Sequence, residues 1–172
     1  MIKALINKIK YKTCSYKKRA ELLRLQGVKI GENSEIYSSV DFGSEPYLID
    51  IGDNVRITSN VKLTTHDGGL WVLRNNGKLP NSDIFGKINI GNNVHIGINS
   101  IIMPGVTIGN NVIIGAGAVV TKNIPSDSVA VGVPARVIET VDDYYIKNRD
   151  KVVYTKNMSK LEKKEYLLKN IK

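Results

Sequence analysis

The 172-residue chain has one cysteine (Cys14), two histidines (His66 and His95), one tryptophan (Trp71) and only 6% aromatic residues. A single cysteine excludes a disulfide framework and gives no metal-ligand spacing, so no metal is expected. Few aromatics lie among the lysines, which removes the stacking platform that nucleic-acid binding uses. No apolar run is long enough to span a bilayer. Residues 1–26 lack the apolar core and small-residue cleavage site of a secretory signal, so a cytoplasmic protein is expected. Acidic residues are scarce at both ends. Residues 1–26 carry Lys3, Lys8, Lys10, Lys12, Lys17, Lys18, Arg19 and Arg24 against Glu21 alone, and residues 141–172 carry nine basic and five acidic residues. The net charge of +9 therefore lies at the ends, and the middle is close to neutral.

What the middle does have is a period of six. Ile30, Ile36 and Phe42 form one series, Ile51, Ile57 and Leu63 a second, and Ile90, Ile96, Ile102, Ile108, Ile114 and Val120 a third. A fixed period of this length belongs to a parallel β-helix built from hexapeptides. The first residue of each unit points inward. The fifth does so again and is small or β-branched, as in Val40, Val55, Val94, Ser100 and Ala118. The fourth falls at a corner that often needs φ > 0, and most of these positions are Asn or Gly. Three units close one triangular coil, so 30–47, 51–68, 90–107 and 108–125 predict about four coils. Neighbouring coils stack at roughly 4.8 Å.

Two insertions break the count. One adds about three residues near Tyr47–Asp50. The other, 69–89, is too polar and too rich in Gly, Asn and Pro for a coil and is expected to be an excursion loop. Long loops on a rigid scaffold commonly carry function. A helix is expected over residues 2–26, with Ile2, Leu5, Ile6 and Ile9 on one stripe and Gly27 as its stop. The tail 126–138 reads as less regular, and 141–169 as one or two amphipathic helices. The division is therefore 1–27 helical, 28–138 β-helix and 139–172 helical, an all-β solenoid with helical ends.

The segments Ile90–Gly97 (IGNNVHIG), Pro104–Gly109 (PGVTIG), Ile114–Lys122 (IGAGAVVTK) and Gly132–Arg136 (GVPAR) resemble the bacterial hexapeptide-repeat O-acetyltransferases, which include maltose, galactoside, virginiamycin and polysaccharide acetyltransferases. The resemblance covers about residues 28–138. It implies a left-handed parallel β-helix, a homotrimer and acetyl-CoA as donor. It further implies a saccharide acceptor in capsule, exopolysaccharide or lipopolysaccharide assembly, with amino-sugar N-acetylation and antibiotic acetylation as alternatives. The same fold carries zinc-dependent carbonic anhydrases, but those need three histidines per site, which this chain does not offer. A non-catalytic scaffold would have no reason for a donor-site set. The Lys-rich, amphipathic N-terminus also suits docking on an anionic membrane, against the plainer reading of a capping helix with a solvated face.

Acetyl transfer to a hydroxyl needs a base, and imidazole titrates nearest the working pH. His66, in Leu63-Thr-Thr-His-Asp67, holds a corner where the long loop departs and matches the family's catalytic histidine. The other reading is a histidine tolerated for its backbone conformation. A base histidine needs an acceptor on its other nitrogen. Glu45 occupies the same position one coil earlier. Asp67 is adjacent, at an inward position where an unpaired carboxylate is costly unless the coil opens. The sequence leaves that choice open. Trp71, with Asn75, Asn76 and Asn81, suits the apolar face and hydroxyl rim of a sugar, or else anchors the loop. For the donor, the resemblance implies that Gly97 and Ala116 offer backbone groups to the pantetheine arm. It places Thr121, Lys122 and Arg136 toward the nucleotide end, where permanent charge suits phosphate. Ile98 departs from a Ser found in some relatives. His95 stands where relatives often carry a Trp near the coenzyme groove; packing on the pantetheine arm and plain solvent exposure both remain open.

Overall fold

A computed structural model describes Tyr11 and residues 13–171. Strands of two or three residues alternate with corners, and the chain visits three faces in a fixed order. With strands numbered along the chain, the first face stacks β1 (Lys29–Ile30), β3 (Ile49–Ile51), β6 (Ile88–Ile90) and β9 (Thr107–Ile108), all parallel. The second stacks β2 (Glu35–Ile36), β4 (Arg56–Ile57), β7 (Val94–Ile96), β10 (Val112–Ile114) and β12 (Ser128–Val131), also parallel. The third stacks β5 (Lys62–Leu63), β8 (Ile101–Ile102) and β11 (Val119–Val120).

The six-residue register predicts this pairing. Ile30 aligns with Ile51, Ile90 and Ile108; Ile36 with Ile57, Ile96 and Ile114; Leu63 with Ile102 and Val120. All twelve series residues are buried, as are the fifth-position residues named above. Each fully buried Ile or Leu contributes roughly 1.5–3 kcal/mol, so the core is a column of apolar layers. Corner backbones are left-handed at Asn33, Asn54, Asn60, Asn93, Asn99 and Asn111, with φ between 54° and 61°.

Several boundaries differ from the sequence expectation. Helix α1 (Tyr16–Arg24) starts at an N-cap, where the Ser15 hydroxyl accepts the Lys18 N–H, so no single helix runs through residue 15. Ile2, Leu5, Ile6 and Ile9 lie outside the described residues. Arg19 of α1 is buried, donates to the carbonyls of Ile36, Tyr11 and Cys14, and ties α1 to β2. The short insertion is a 3-10 turn, Pro46–Leu48. The 69–89 segment is not loop throughout: it contains α2 (Leu70–Asn75) and ends early, because Ile88 and Asn89 already belong to β6, where Ile88 is fully buried against Ile49. The tail is more regular than expected: β12 turns through Gly132 and pairs antiparallel with β13 (Arg136–Thr140). Two capped helices follow, α3 (Val141–Asn148) and α4 (Lys160–Asn170), neither with a buried residue. No helix among the described residues is long and apolar enough to cross a membrane.

Candidate active site

Both insertions leave from the same corner, between the third and first faces. Gly43, with φ +64°, turns the chain there, and Glu45 precedes the 3-10 turn. One coil on, His66 occupies the equivalent corner, and the excursion begins. Its base is closed by an antiparallel bridge between His66 and Phe85, an Asp67 N–H to Ile84 carbonyl bond of 3.0 Å and a Gly86 N–H to Thr65 carbonyl bond of 2.8 Å. His66 is not in the left-handed region occupied by the Asn corners, so its backbone conformation gives no reason for a histidine.

Of the two carboxylates, Glu45 is the partner. Its Oε2 lies 3.1 Å from His66 Nδ1 and accepts the Thr65 hydroxyl at 2.8 Å. The hydrogen bond from Ser44, then that from Thr65, holds the Glu45 carboxyl below the usual carboxylate range, and the contact with His66 adds to this against the effect of burial. An ionised carboxylate only accepts, so His66 donates through Nδ1 and Nε2 carries the lone pair. The Glu45 side chain is 16% exposed and that of His66 44% exposed, so the imidazole is reachable while its partner is sheltered. Asp67 does not point inward. The coil opens there, the residue is exposed, and its Oδ1 accepts the Gly69 N–H at 2.8 Å.

Glu45, His66, Asp67 and Trp71 share one cleft of about 500 Å³ with Ser44, Arg74, Asp83 and Phe85. Phe85 stands edge-on to His66, with ring centroids 6.4 Å apart, and Trp71 is exposed. The sequence reading missed Ser44, Thr65, Arg74, Asp83 and Phe85. Only Phe85 carried a signal, as a lone aromatic where the loop returns. Arg74 Nη1 donates to the Ser82 carbonyl and to Asp83, fastening α2 to the returning arm of the loop.

The donor candidates are not gathered at this cleft within one chain. Thr121 and Lys122 are exposed on the His66 corner, two coil steps along, roughly 10 Å. Gly97 and Ala116 lie at the other edge of the third face. Gly97 is buried, its N–H bonds the Ile114 carbonyl and its carbonyl accepts the Ser100 hydroxyl, so of its backbone groups the N–H is already engaged. Ala116 is exposed and takes part in none of the hydrogen bonds among the described residues, so its backbone groups are available. Arg136 is exposed on β13. His95 sits in β7 on the second face, half-buried, aligned with Arg56 and Ile113. Burial, then the Arg56 charge, pushes its imidazole pKa down.

The family pattern described as Bacterial transferase hexapeptide (six repeats) matches residues 87–122. The chain is 53% identical over 153 residues to Protein CapG of Staphylococcus aureus, covering 87% of each. It is 39% identical over 160 residues to galactoside O-acetyltransferase of Escherichia coli strain K12, covering 81% of this chain and 74% of that protein. A solved galactoside acetyltransferase in complex with coenzyme A superposes with a TM-score of 0.61 at 33% identity, covering 91% of this chain and 85% of that one. With a six-residue register that closes three parallel faces and relatives matched along most of its length, the chain belongs to the hexapeptide-repeat acetyltransferases.

Proposed function

We propose that the chain transfers an acetyl group from acetyl-CoA directly to a sugar hydroxyl, with His66 as general base and Glu45 as the residue that orients it. The observation that carries this reading is the 3.1 Å contact between His66 Nδ1 and Glu45 Oε2 inside an accessible cleft. Nε2 takes the proton of the acceptor hydroxyl as its oxygen attacks the thioester carbonyl. The carbon–sulfur bond breaks, and protonated His66 returns the proton to the departing thiolate. Glu45 stays ionised and stabilises the imidazolium. Cys14, the only thiol, donates to the Tyr11 carbonyl beside α1, away from this cleft, so no covalent acetyl-enzyme is invoked.

The acetyl donor fits the free backbone groups of Ala116 and the unpaired cations Lys122 and Arg136, neither of which has an acidic partner among the described residues. The galactoside acetyltransferase solved with coenzyme A supports the donor, and the galactoside O-acetyltransferase relative supports the sugar. We read the stack as a left-handed β-helix of about four coils that assembles as a trimer. Support for the trimer comes from the third face. Its outward row runs Lys62, Ile101 and Val119, apolar at two of three positions, whereas Asp50 and Lys87 mark the first face and Glu35, Arg56 and His95 precede Ile113 on the second. Pairing third faces around an axis brings the Ala116 edge of one copy toward the His66 edge of the next. A polysaccharide acceptor remains part of the proposal.

Replacing His66 with Ala lowers kcat by on the order of 10²–10⁴ in an assay of CoA thiol release, while Cys14→Ala leaves it unchanged. Near-normal turnover in folded His66→Ala overturns the assignment.

A further inference from the structure

We infer that Asp67 is an acceptor-specificity residue. Its carboxylate selects sugars carrying a hydrogen-bond donor, an amino or hydroxyl group, beside the reacting hydroxyl, and it excludes those with a carboxylate or phosphate there. The inference rests on the acetyl-transfer reading of the His66 cleft.

Four ionisable groups besides His66 line that cleft: Glu45, Asp67, Asp83 and Arg74. Arg74 does not serve as a free cation, because its Nη1 lies 2.7 Å from Asp83 Oδ1 and 2.6 Å from the Ser82 carbonyl. These two groups cancel each other's charge and hold the loop. Glu45 is committed to His66 and Thr65. Asp67 is different. The Gly69 N–H at 2.8 Å fixes its side chain through Oδ1, and its Oδ2 has no partner among the described residues. A carboxylate so oriented, exposed and next in sequence to the base, is an acceptor atom waiting for a donor. Trp71 and Phe85, both more than half exposed, supply apolar walls for the C–H face of a pyranose. The wall is therefore apolar and the polar rim accepts hydrogen bonds; among the described residues Asp67 has no cationic partner, and Glu45 has only His66. A second anion in this cleft meets repulsion from both, and like charges juxtaposed in a partly desolvated site are strongly disfavoured. A hydroxyl or ammonium instead completes the Asp67 hydrogen-bonding set.

The test compares kcat/KM of the full-length protein for a methyl galactoside, glucosamine and glucuronic acid, with binding of each sugar read separately by saturation-transfer NMR. The expected result is a kcat/KM for glucuronic acid lower by on the order of 10- to 100-fold than for the other two. Asp67→Asn narrows that gap and Asp67→Glu preserves it. The inference is overturned if glucuronic acid is bound and acetylated as well as the galactoside, or if Asp67→Asn leaves the gap unchanged. It is also overturned if no sugar binds. Selective binding without transfer to any hydroxyl sinks the acetyl-transfer reading and leaves the charge preference standing, so the two failures are distinguishable.

Discussion

Two corners of the same triangle have opposite chemistry. Between the first and second faces, Gly31, Gly52, Gly91 and Gly109 are stacked so closely that a Cβ on Gly91 lies 2.7 Å from the Gly109 carbonyl oxygen. Side chains there close onto the backbone of the coil before. Asn92 Oδ1 accepts the Asp53 N–H at 2.8 Å, Asn110 Oδ1 the Asn92 N–H at 2.7 Å, and the Ser126 hydroxyl the Asn110 N–H at 2.9 Å. Beside them Asn93 donates to Asn111, and Asn111 to Asp127. The motif recurs from coil to coil, starting with Asp53 Oδ1 on the Glu32 N–H, and the side-chain oxygens it uses are spent on the neighbouring backbone. Between the third and first faces the repeat breaks twice, at 46–48 and after His66. There the polar side chains meet one another and face a cleft. A solenoid of identical corners has nowhere to put chemistry. On the proposed reading of His66, function enters where the stack is interrupted, and the uninterrupted corner keeps the register while that happens.

If this contrast is right, the largest effect comes from adding one methyl group to each corner. Gly91→Ala forces the neighbouring coil backbone to move and destabilises the protein by about 2–3 kcal/mol. Gly68, at the mouth of the open corner, has nothing within 4 Å of its would-be Cβ, so Gly68→Ala stays near wild type. Urea midpoints of the two variants measure the difference, and equal midpoints break the distinction between the corners.

Next in size is the dyad. Gln at position 45 keeps the shape of Glu45 but can donate to Nδ1, which places the imidazole proton on Nε2, the nitrogen that has to be free. Glu45→Gln is expected to lower kcat by on the order of 10²-fold, equivalent to about 2.7 kcal/mol in the barrier, with the midpoint of unfolding little changed. The pH dependence follows from the sign of the shift. The folded Glu45 carboxyl titrates below its ordinary range, so the stabilisation it gives the closed dyad is present above the unfolded pKa and is lost only as pH falls through the lower folded value. A variant that keeps full activity shows that the 3.1 Å contact has no part in orienting the base.

The closed corner was legible in the sequence because it is periodic. Asn33, Asn54, Asn93 and Asn111, one per coil, state the left-handed turn, and an apolar residue at every sixth position states the inward face. His66 was legible for the opposite reason, since it stands where the pattern asks for Asn. What could not be read is whatever depends on how far the chain departs once the pattern stops. Asp67 counts as an inward position only while the coil continues, and the bridge from His66 to Phe85 ends it there, sending the side chain outward. The choice of Glu45 over Asp67 follows from that departure. The β12–β13 hairpin had its signals, Gly132 and Pro134 between alternating segments, but they sit outside the six-residue frame. The exposure of α3 and α4 left no trace in the sequence, because an amphipathic pattern does not say whether its partner belongs to the same chain.

The smallest effect separates the two histidines. His95 lies two residues beyond Asn93 of the closed corner, aligned with Arg56 on one side and Ile113 on the other, and its folded pKa is lowered first by burial and then by the Arg56 charge. The unfolded chain therefore binds a proton at this residue more readily than the folded one. The sign is fixed by linkage: as pH falls through the ordinary imidazole value of about 6.5, the folded state loses stability, and the loss levels off below the folded pKa. Because the residue is only half-buried, solvent screening keeps this contribution well below the Gly91 effect. Between about pH 8 and about pH 5, the urea midpoint of wild type should fall further than that of His95→Gln, which has no proton to gain at this position. Identical slopes for the two proteins mean that the second face leaves His95 as well solvated as a surface residue, and the contrast with the open corner then rests on the backbone ladder alone.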